Sequence, residues 1–460
     1  DVVLMNPPFI AWPSLDNLQR DQMQQVLGSR LRGRGDFSMA FVSRAIEFLS
    51  AGGAIGVLFP SSLLTLQAAE AWRADLLERT DLRLLASLGD YGLFAHALVQ
   101  VAAAVMLKPS NPAGRRGTTT ALVTTNSAEA TGDALRALRR SRRWELGSDE
   151  DEKWRLFKVA TEKLQLRPTW RLTTPRTEAA LSMLIDAGAA RVSDLFRVRQ
   201  GVLTGDNKAF ILDNDAFEKL PTKEKLFFKP AVMNHSIQDG QLQLLYWVFY
   251  PYDIKGPHFR TEDELLAAVP VYAERFLSPR RKELIARKSL ISAEREDWWG
   301  LSRRRTTWAF DTAPRLVSKY FGGPGGFAVD LKSQFLAVQG YVWFLKDVEA
   351  PNEKEEDEIG LPVDDLLCAY SGIMNSRPFR SVLELFSPHV AGGQFNLSPR
   401  YVNHIPMPNL AELARDERTG CLISRLVELG RKPRFTEVSW RNLVDRITNE
   451  LYGGDFFNQV

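Results

Sequence analysis

Apolar residues in this chain come first in short unbroken runs and later in broken alternation, and the change of texture marks two kinds of architecture. Val2-Val3-Leu4-Met5 and Ala54-Ile55-Gly56-Val57-Leu58-Phe59 are continuous runs of strand length, the pattern of strands buried on both faces of a parallel sheet. Between them Ala40-Phe41, Ala45-Ile46 and Phe48-Leu49 recur at helical spacing, with Gly52-Gly53 as the stop. A second helix is predicted around Ala71, Trp72, Leu76 and Leu77, and further strands at 82–88, 99–107 and 118–125. The loop Asp90-Tyr91-Gly92-Leu93-Phe94-Ala95-His96 separates the first two of these. Strands alternating with helices predict an α/β class with a parallel sheet.

Beyond residue 125 the texture loosens. A basic helix carries Arg136, Arg139, Arg140, Arg142 and Arg143, which suit either a solvated face or phosphate contacts. Gly147 to Glu152 reads as an acidic surface linker, while Trp154 to Leu166 and Glu178 to Ala187 have helical spacing. From Val192 onward short, aromatic-rich alternating segments broken by Gly, Pro and Asn predict an α+β module. The expected division is 1–125 for the α/β part, 126–190 for a helical connector, 191–410 for the α+β module and 411–460 for a carboxyl-terminal helical segment.

The segment after the first strand carries the most specific chemistry. Asn6-Pro7-Pro8-Phe9 follows Met5 directly, and two successive prolines continue neither a ladder nor a helix, so they fix an extended turn. From such a turn the Asn6 amide oxygen and the Pro7 carbonyl offer two acceptors of little mobility. A planar exocyclic amine has two N–H donors, so this pair can grip it, draw its lone pair out of conjugation and aim it at an electrophile. Phe9 is placed to stack on the ring that bears the amine.

These four residues resemble motif IV of the amino-group DNA methyltransferases, with the pattern Asn/Asp/Ser-Pro-Pro-aromatic. The succession strand, helix, Gly-Gly, strand, Pro-Ser, helix, strand, Phe-containing loop, strand is similar to motifs IV to VIII of the gamma-class adenine methyltransferases. The resemblance implies a partial Rossmann-like methyltransferase sheet, S-adenosylmethionine as methyl donor, and Asn6, Pro7, Pro8 and Phe9 as catalytic residues, with Phe94 stacking on a flipped adenine. It also implies a Gly-rich cofactor turn ahead of motif IV. The sequence opens on motif IV, so the cofactor-binding half is expected before Asp1 or on a partner chain. The later Gly322-Gly323-Pro324-Gly325-Gly326 could be a phosphate or cofactor loop, though Pro324 fits a hairpin better than a helix start.

In the second module, Arg199 to Phe210 contains Gly201-Val202-Leu203-Thr204-Gly205-Asp206-Asn207-Lys208. This resembles the opening segment of target-recognition domains in type IIG and type I restriction-modification proteins. Gly201 and Gly205 permit close backbone approach, and Thr204, Asn207 and Lys208 offer reach to phosphates or base edges. Phe227-Phe228-Lys229-Pro230 and Ala391 to Leu397 followed by His404-Ile405-Pro406-Met407-Pro408 resemble other parts of such domains. Arg280-Arg281-Lys282 with Arg287-Lys288 is expected to form a basic helix. Trp298-Trp299 precedes Arg303-Arg304-Arg305, and Pro314-Arg315 leads to Lys319; aromatics interleaved with cations suit phosphate anchoring. Arg303, Arg304, Arg305 and Lys319 therefore join the candidate DNA-binding residues.

Bulk properties constrain this picture modestly. At 460 residues the chain is too long for one core, and a net charge of +3 leaves nucleic-acid binding to local patches. Cys368 and Cys421 are isolated cysteines with no metal spacing, consistent with a reduced cytosol, which the resemblance implies is a prokaryotic cytoplasm. No apolar run reaches transmembrane length, so no membrane partner is expected. The implied activity is adenine N6 methylation in a specific double-stranded DNA sequence within restriction-modification or other anti-phage systems, with nuclease or defence-complex subunits as possible partners. The alternative is an inactive or incomplete methyltransferase serving as a DNA-binding specificity subunit. An RNA or protein amino methyltransferase would share the Asn-Pro-Pro-Phe turn but leave the second module unexplained.

Overall fold

The computed structural model describes residues 1–89, 99–111, 117–124, 128–140, 149–151, 154–165, 169–173, 179, 181–182, 189–291, 296–346, 361–387, 389–390 and 394–454. They divide into two compact units, Asp1–Glu178 and Ala179–Val460. Phe94, Arg142, Arg143 and most of the predicted helix from Glu178 lie outside the described residues. Among the described residues no helix is long and apolar enough to cross a membrane.

The first unit is a mixed α/β layer structure. Its strands are β1 (Val2–Met5), β2 (Ala54–Pro60), β3 (Asp81–Leu88), β4 (Val101–Leu107), β5 (Thr118–Thr124), β6 (Asp149–Asp151) and β7 (Trp154–Ala160). They form one sheet in the order β1-β2-β4-β3-β5-β7-β6. β1 runs parallel to β2 and β3 parallel to β5, while β4 lies antiparallel between β2 and β3. Helices α1 (Asn17–Leu27), α2 (Ser38–Phe48) and α3 (Glu70–Arg79) cover one face, burying Met23, Val42, Ile46, Trp72 and Leu76 against Ile55, Val57, Leu82 and Leu85. On the other face α4 (Ala128–Arg140) brings Ala134 onto Leu84, Ala86, Leu122 and Leu156.

Three expectations are corrected here. β1 is not buried on both faces: it pairs only with β2 among the described residues, and Val2 and Leu4 are 71% and 81% exposed. A β-forming sequence states that a strand will form; which neighbour lies beyond it is tertiary information. Trp154 to Ala160 is a strand, with helix confined to α5 (Thr161–Gln165). Trp154 and Leu156 pack on one face and Phe157 and Val159 on the other, and a strand buried on both sides has no clean period of two for a reader to find. The acidic segment is not all linker either, because Asp149–Asp151 pairs with Trp154–Leu156 as a short hairpin.

The second unit has two four-stranded sheets. With β8 (Phe196–Gln200), β9 (Ile211–Asp213), β10 (Phe228–Val232), β11 (Tyr246–Phe249), β12 (Arg315–Lys319), β13 (Phe327–Asp330), β14 (Leu336–Ala337) and β15 (Gly340–Leu345), the orders are β9-β11-β10-β14 and β13-β12-β15-β8. Alternation along β15 joins two cores. Tyr341 and Trp343 face a cluster built with α6 (Val363–Met374), α7 (Arg377–Phe386), α8 (Glu417–Arg431) and α9 (Val438–Leu451). Val342 and Phe344 face a second cluster that takes in Phe210, Phe228, Tyr272, Trp298 and Trp299. Both tryptophans are core, at 3% and 5% exposure. The predicted basic helix is broken: Arg281–Ile285 is helical, but Arg287 stands outside it, buried. Phe210 likewise ends a short helical turn (Asn207–Phe210) rather than opening a strand.

Candidate active site and nucleic-acid interface

β1 is held in register with β2 from Val2 opposite Ala54 to Met5 opposite Val57, and the chain leaves the sheet at Asn6. Asn6 is exposed, Pro7 buried, Pro8 exposed and Phe9 half-buried. The Asn6 side chain makes no hydrogen bond among the described residues. The far side of the turn is also fastened. Phe37 N donates to Ile10 O at 2.9 Å, Trp12 N donates to Gly35 O at 3.0 Å, and Ala11 bridges Asp36. The turn is thus suspended between a ladder and a clamp, which leaves its amide presented and not spent on the fold.

Asp36 makes the clamp stiff. Its buried carboxylate accepts from Ser38 N at 3.0 Å and Ser38 Oγ at 2.5 Å, fixing the start of α2 in the manner of a helix cap. Burial raises its pKa above the ordinary carboxylate value, against the lowering effect of the Ser38 bonds. Asp36 was not among the sequence candidates. The Asp-x-Ser spacing before an apolar helix was the available signal.

A depression of about 450 Å³ lies beside Asn6. It is lined by Leu4, Met5, Gly56, Val57, Leu58, Ala103, Ala104 and Val105, with Asn6 its one polar residue. Such a wall contributes surface to an apolar contact; it holds no carboxylate or cation that could grip the ribose or the amino-acid end of S-adenosylmethionine. The Gly322–Gly326 loop does not supply a cofactor turn, because it closes a β-hairpin, with Gly326 N donating to Gly323 O at 2.9 Å and no helix following. Neither of these two places supplies groups that would hold S-adenosylmethionine.

In the second unit, the residues singled out around 204 and around 303 meet. Leu203 and Arg303 exchange both backbone hydrogen bonds, at 3.1 and 2.9 Å. Thr204 is buried and donates from Oγ1 to Asn207 Oδ1 at 2.6 Å, while Asn207, Lys208 and Arg303 are exposed. Gly205 has φ +82°, and a Cβ there would sit 2.2 Å from Ser302 Oγ; at Gly201 it would sit 2.6 Å from Ala337 O. Both positions require glycine, for the reach of the turn toward its own neighbours.

Arg304 and Arg305 serve the fold as well as the surface. Arg304 pairs with Asp297 and lies 4.8 Å over the Tyr252 ring. Arg305, in the left-handed region at φ 55°, donates to Gln200 Oε1 at 2.7 Å. Lys319 lies elsewhere in the unit, in a cleft with Gly322 and Arg441. The residue that sets the 204 turn was missed in the sequence. Arg287 is 9% exposed and donates to the carbonyls of Leu284, Thr204, Trp298 and Gly300 at 2.6–2.9 Å. In a run of basic residues, nothing marks the one that turns inward.

Residues 1–94 match the Eco57I restriction-modification methylase family. This span holds the Asn-Pro-Pro-Phe turn and its clamp. No curated protein matches the sequence. Among solved structures, the chain is similar to the type IIL restriction-modification enzyme MmeI in complex with DNA, at 12% identity over 98% of this chain and 54% of that one, with a TM-score of 0.56. It also aligns with the type IIG restriction endonuclease BpuSI, at 14% identity over 100% of this chain and 54% of that one, TM-score 0.36. The chain spans about half the length of these two proteins. The MmeI likeness is one of fold: the mixed α/β sheet with its following α+β unit is shared with restriction-modification enzymes.

Proposed function

We propose that this chain is part of an S-adenosylmethionine-dependent enzyme that methylates adenine N6 in a specific double-stranded DNA sequence, in a restriction-modification or related anti-phage system. The observation that carries the reading is the presented Asn6 amide, exposed and without a hydrogen-bond partner among the described residues, at the end of β1 in a turn fixed on both sides. The Eco57I family match over the same residues supports it.

In this reading the target adenine leaves the stack, and its N6 donates to Asn6 Oδ1 and the Pro7 carbonyl. Phe9 stacks on the ring, with Phe94 as the proposed second aromatic. Asn6 and Pro7 accelerate the reaction by alignment, holding the amine with its lone pair directed at the incoming carbon. S-adenosylmethionine would supply an electrophilic methyl group. Its binding residues are assigned to further polypeptide, from the same protein or a partner, that covers the open face of β1 where Val2 and Leu4 are exposed. The second unit, from about residue 190 to 410, is assigned to target recognition, with Asn207, Lys208 and Arg303 as the surface that meets DNA; Thr204, expected there from the sequence, is buried beneath it and holds the Asn207 side chain instead.

Asn6→Ala in the complete enzyme tests the assignment. Methyl transfer, followed with a tritiated methyl donor, should fall by about 10²–10³-fold or more, while affinity for the cognate duplex stays nearly unchanged. Substantial turnover in that variant would remove Asn6 from the chemistry. A second reading, a DNA-binding specificity subunit without turnover, is favoured by the apolar wall beside Asn6. Sequence-specific binding with no methyl transfer by the complete protein would select it.

A further inference from the structure

The hairpin between β12 and β13 overhangs a cleft of about 470 Å³ in the second unit, closed on its other sides by the start of α7 and by α9. Four cations line it, Lys319, Arg377, Arg380 and Arg441, against the single carboxylate of Asp445. That carboxylate is already taken: it accepts from Arg377 N at 2.8 Å and Arg377 Nε at 2.5 Å. Arg380 has Glu384 at 3.4 Å on its own helix. Lys319 and Arg441 stand in no ion pair among the described residues, and the Arg441 guanidinium sits 5.9 Å from the Phe435 ring. Burial lowers the Lys319 pKa, and no carboxylate compensates it. A concave surface with two uncompensated cations suits a compact anion with several acceptor oxygens.

We propose that this cleft is a phosphate-binding site, with Lys319 and Arg441 as its principal contacts and the backbone of duplex DNA as the source of the phosphate. The source rests on the DNA-binding reading above; the phosphate chemistry does not. The site is separate from the surface at Asn207, Lys208 and Arg303 and would add sequence-independent grip.

The test uses the full chain and a fluorescein-labelled duplex of arbitrary sequence, with anisotropy read across a salt titration. The double substitution K319Q with R441Q should weaken binding by about tenfold or more at low salt and reduce the salt slope by about two units, one per lost phosphate contact. Gly323→Glu provides a second variant. A Cβ at Gly323 meets nothing within 4 Å, so the carboxylate can enter the cleft with the hairpin intact, and the same loss is expected with an unchanged circular dichroism spectrum. A calorimetric titration with inorganic pyrophosphate separates the sources. If duplex binding is absent or unaffected while pyrophosphate binds the wild type and neither variant, the cleft stands and its phosphate comes from a small molecule. Unchanged duplex affinity and slope together with no pyrophosphate binding would overturn the proposal. Methyl transfer is not read here, so this outcome and the failure of the methyltransferase reading remain distinct.

Discussion

The two units hold their functional turns by different means. In the first, Asn6 is positioned by a parallel ladder between β1 and β2 and a backbone clamp at Ala11 and Asp36, over a core of apolar side chains. In the second, the turn at Thr204 is positioned by a buried guanidinium, with Arg287 bonding four carbonyls from three stretches of chain. A ladder is built from groups every residue carries, so it tolerates side-chain change. A buried arginine concentrates the same job in one side chain, and its loss strands several acceptors at once. Arg315 repeats the device in the same unit, 3.3 Å from Asp330 with both side chains almost fully buried, and donates to the carbonyls of Asp311, Ser333 and Phe335. The first unit also uses a buried arginine for a turn, where Arg73 Nη1 donates to Leu63 O and Leu66 O; burial lowers its pKa to about 10, partly opposed by Glu70.

The contrast breaks if removing the buried arginine is harmless. Arg287→Met is expected to destabilise by about 3–5 kcal/mol, the range for removing one partner from a buried charged network. Hydrogen exchange should show lost protection around residues 198–210 and 284–302, with β2 and β4 unaffected. Full protection in the variant would mean that the 204 turn is held by its packing alone. Next in size, Leu85→Ala, at a position with 0% exposure in the first unit's core, should cost about 2–5 kcal/mol. Its effect should spread across β3, β4 and β5 without changing affinity for DNA. An effect confined to the mutated strand would show that this sheet is less cooperative than its shared core implies.

The smallest effect concerns the clamp. Because burial raises the Asp36 pKa, the folded protein binds its proton more tightly than the unfolded chain does. Stability should therefore fall as pH rises from the ordinary carboxylate value through the folded value, and stay lower above it. Asp36→Asn keeps an acceptor for Ser38 and removes that titration, so the difference in melting temperature between variant and wild type should shift in favour of the variant across this window. A difference that does not change with pH would mean that the Ser38 bonds offset the burial completely.

Much of the first unit was legible because its elements are long enough to show their period: β2, α2, α3 and β3 fall where the apolar spacing puts them. The Asn-Pro-Pro-Phe turn was legible for a local reason, since two prolines restrict the backbone whatever surrounds them. What the sequence hid was nonlocal. The strand at Trp154–Ala160 looked helical because both of its faces are covered, and β1 looked interior although Val2 and Leu4 are exposed. Short strands in the second unit are defined by partners far along the chain, as β8 is by β15, and a five-residue segment carries little period of its own.

By itself, then, the sequence determined the strands and helices of the first unit from α2 to β5, the rigid turn that ends β1, and the glycines at 201 and 205, because backbone restriction and apolar period act over a few residues. Only the tertiary structure decided which charged residues turn inward. Arg287 and Arg303 have the same side chain and stand sixteen positions apart by subtraction of their numbers, yet one is buried among carbonyls and the other is exposed beside Leu203. Burial of a guanidinium depends on acceptors converging from distant segments to replace its water, and that convergence exists only once the chain has folded.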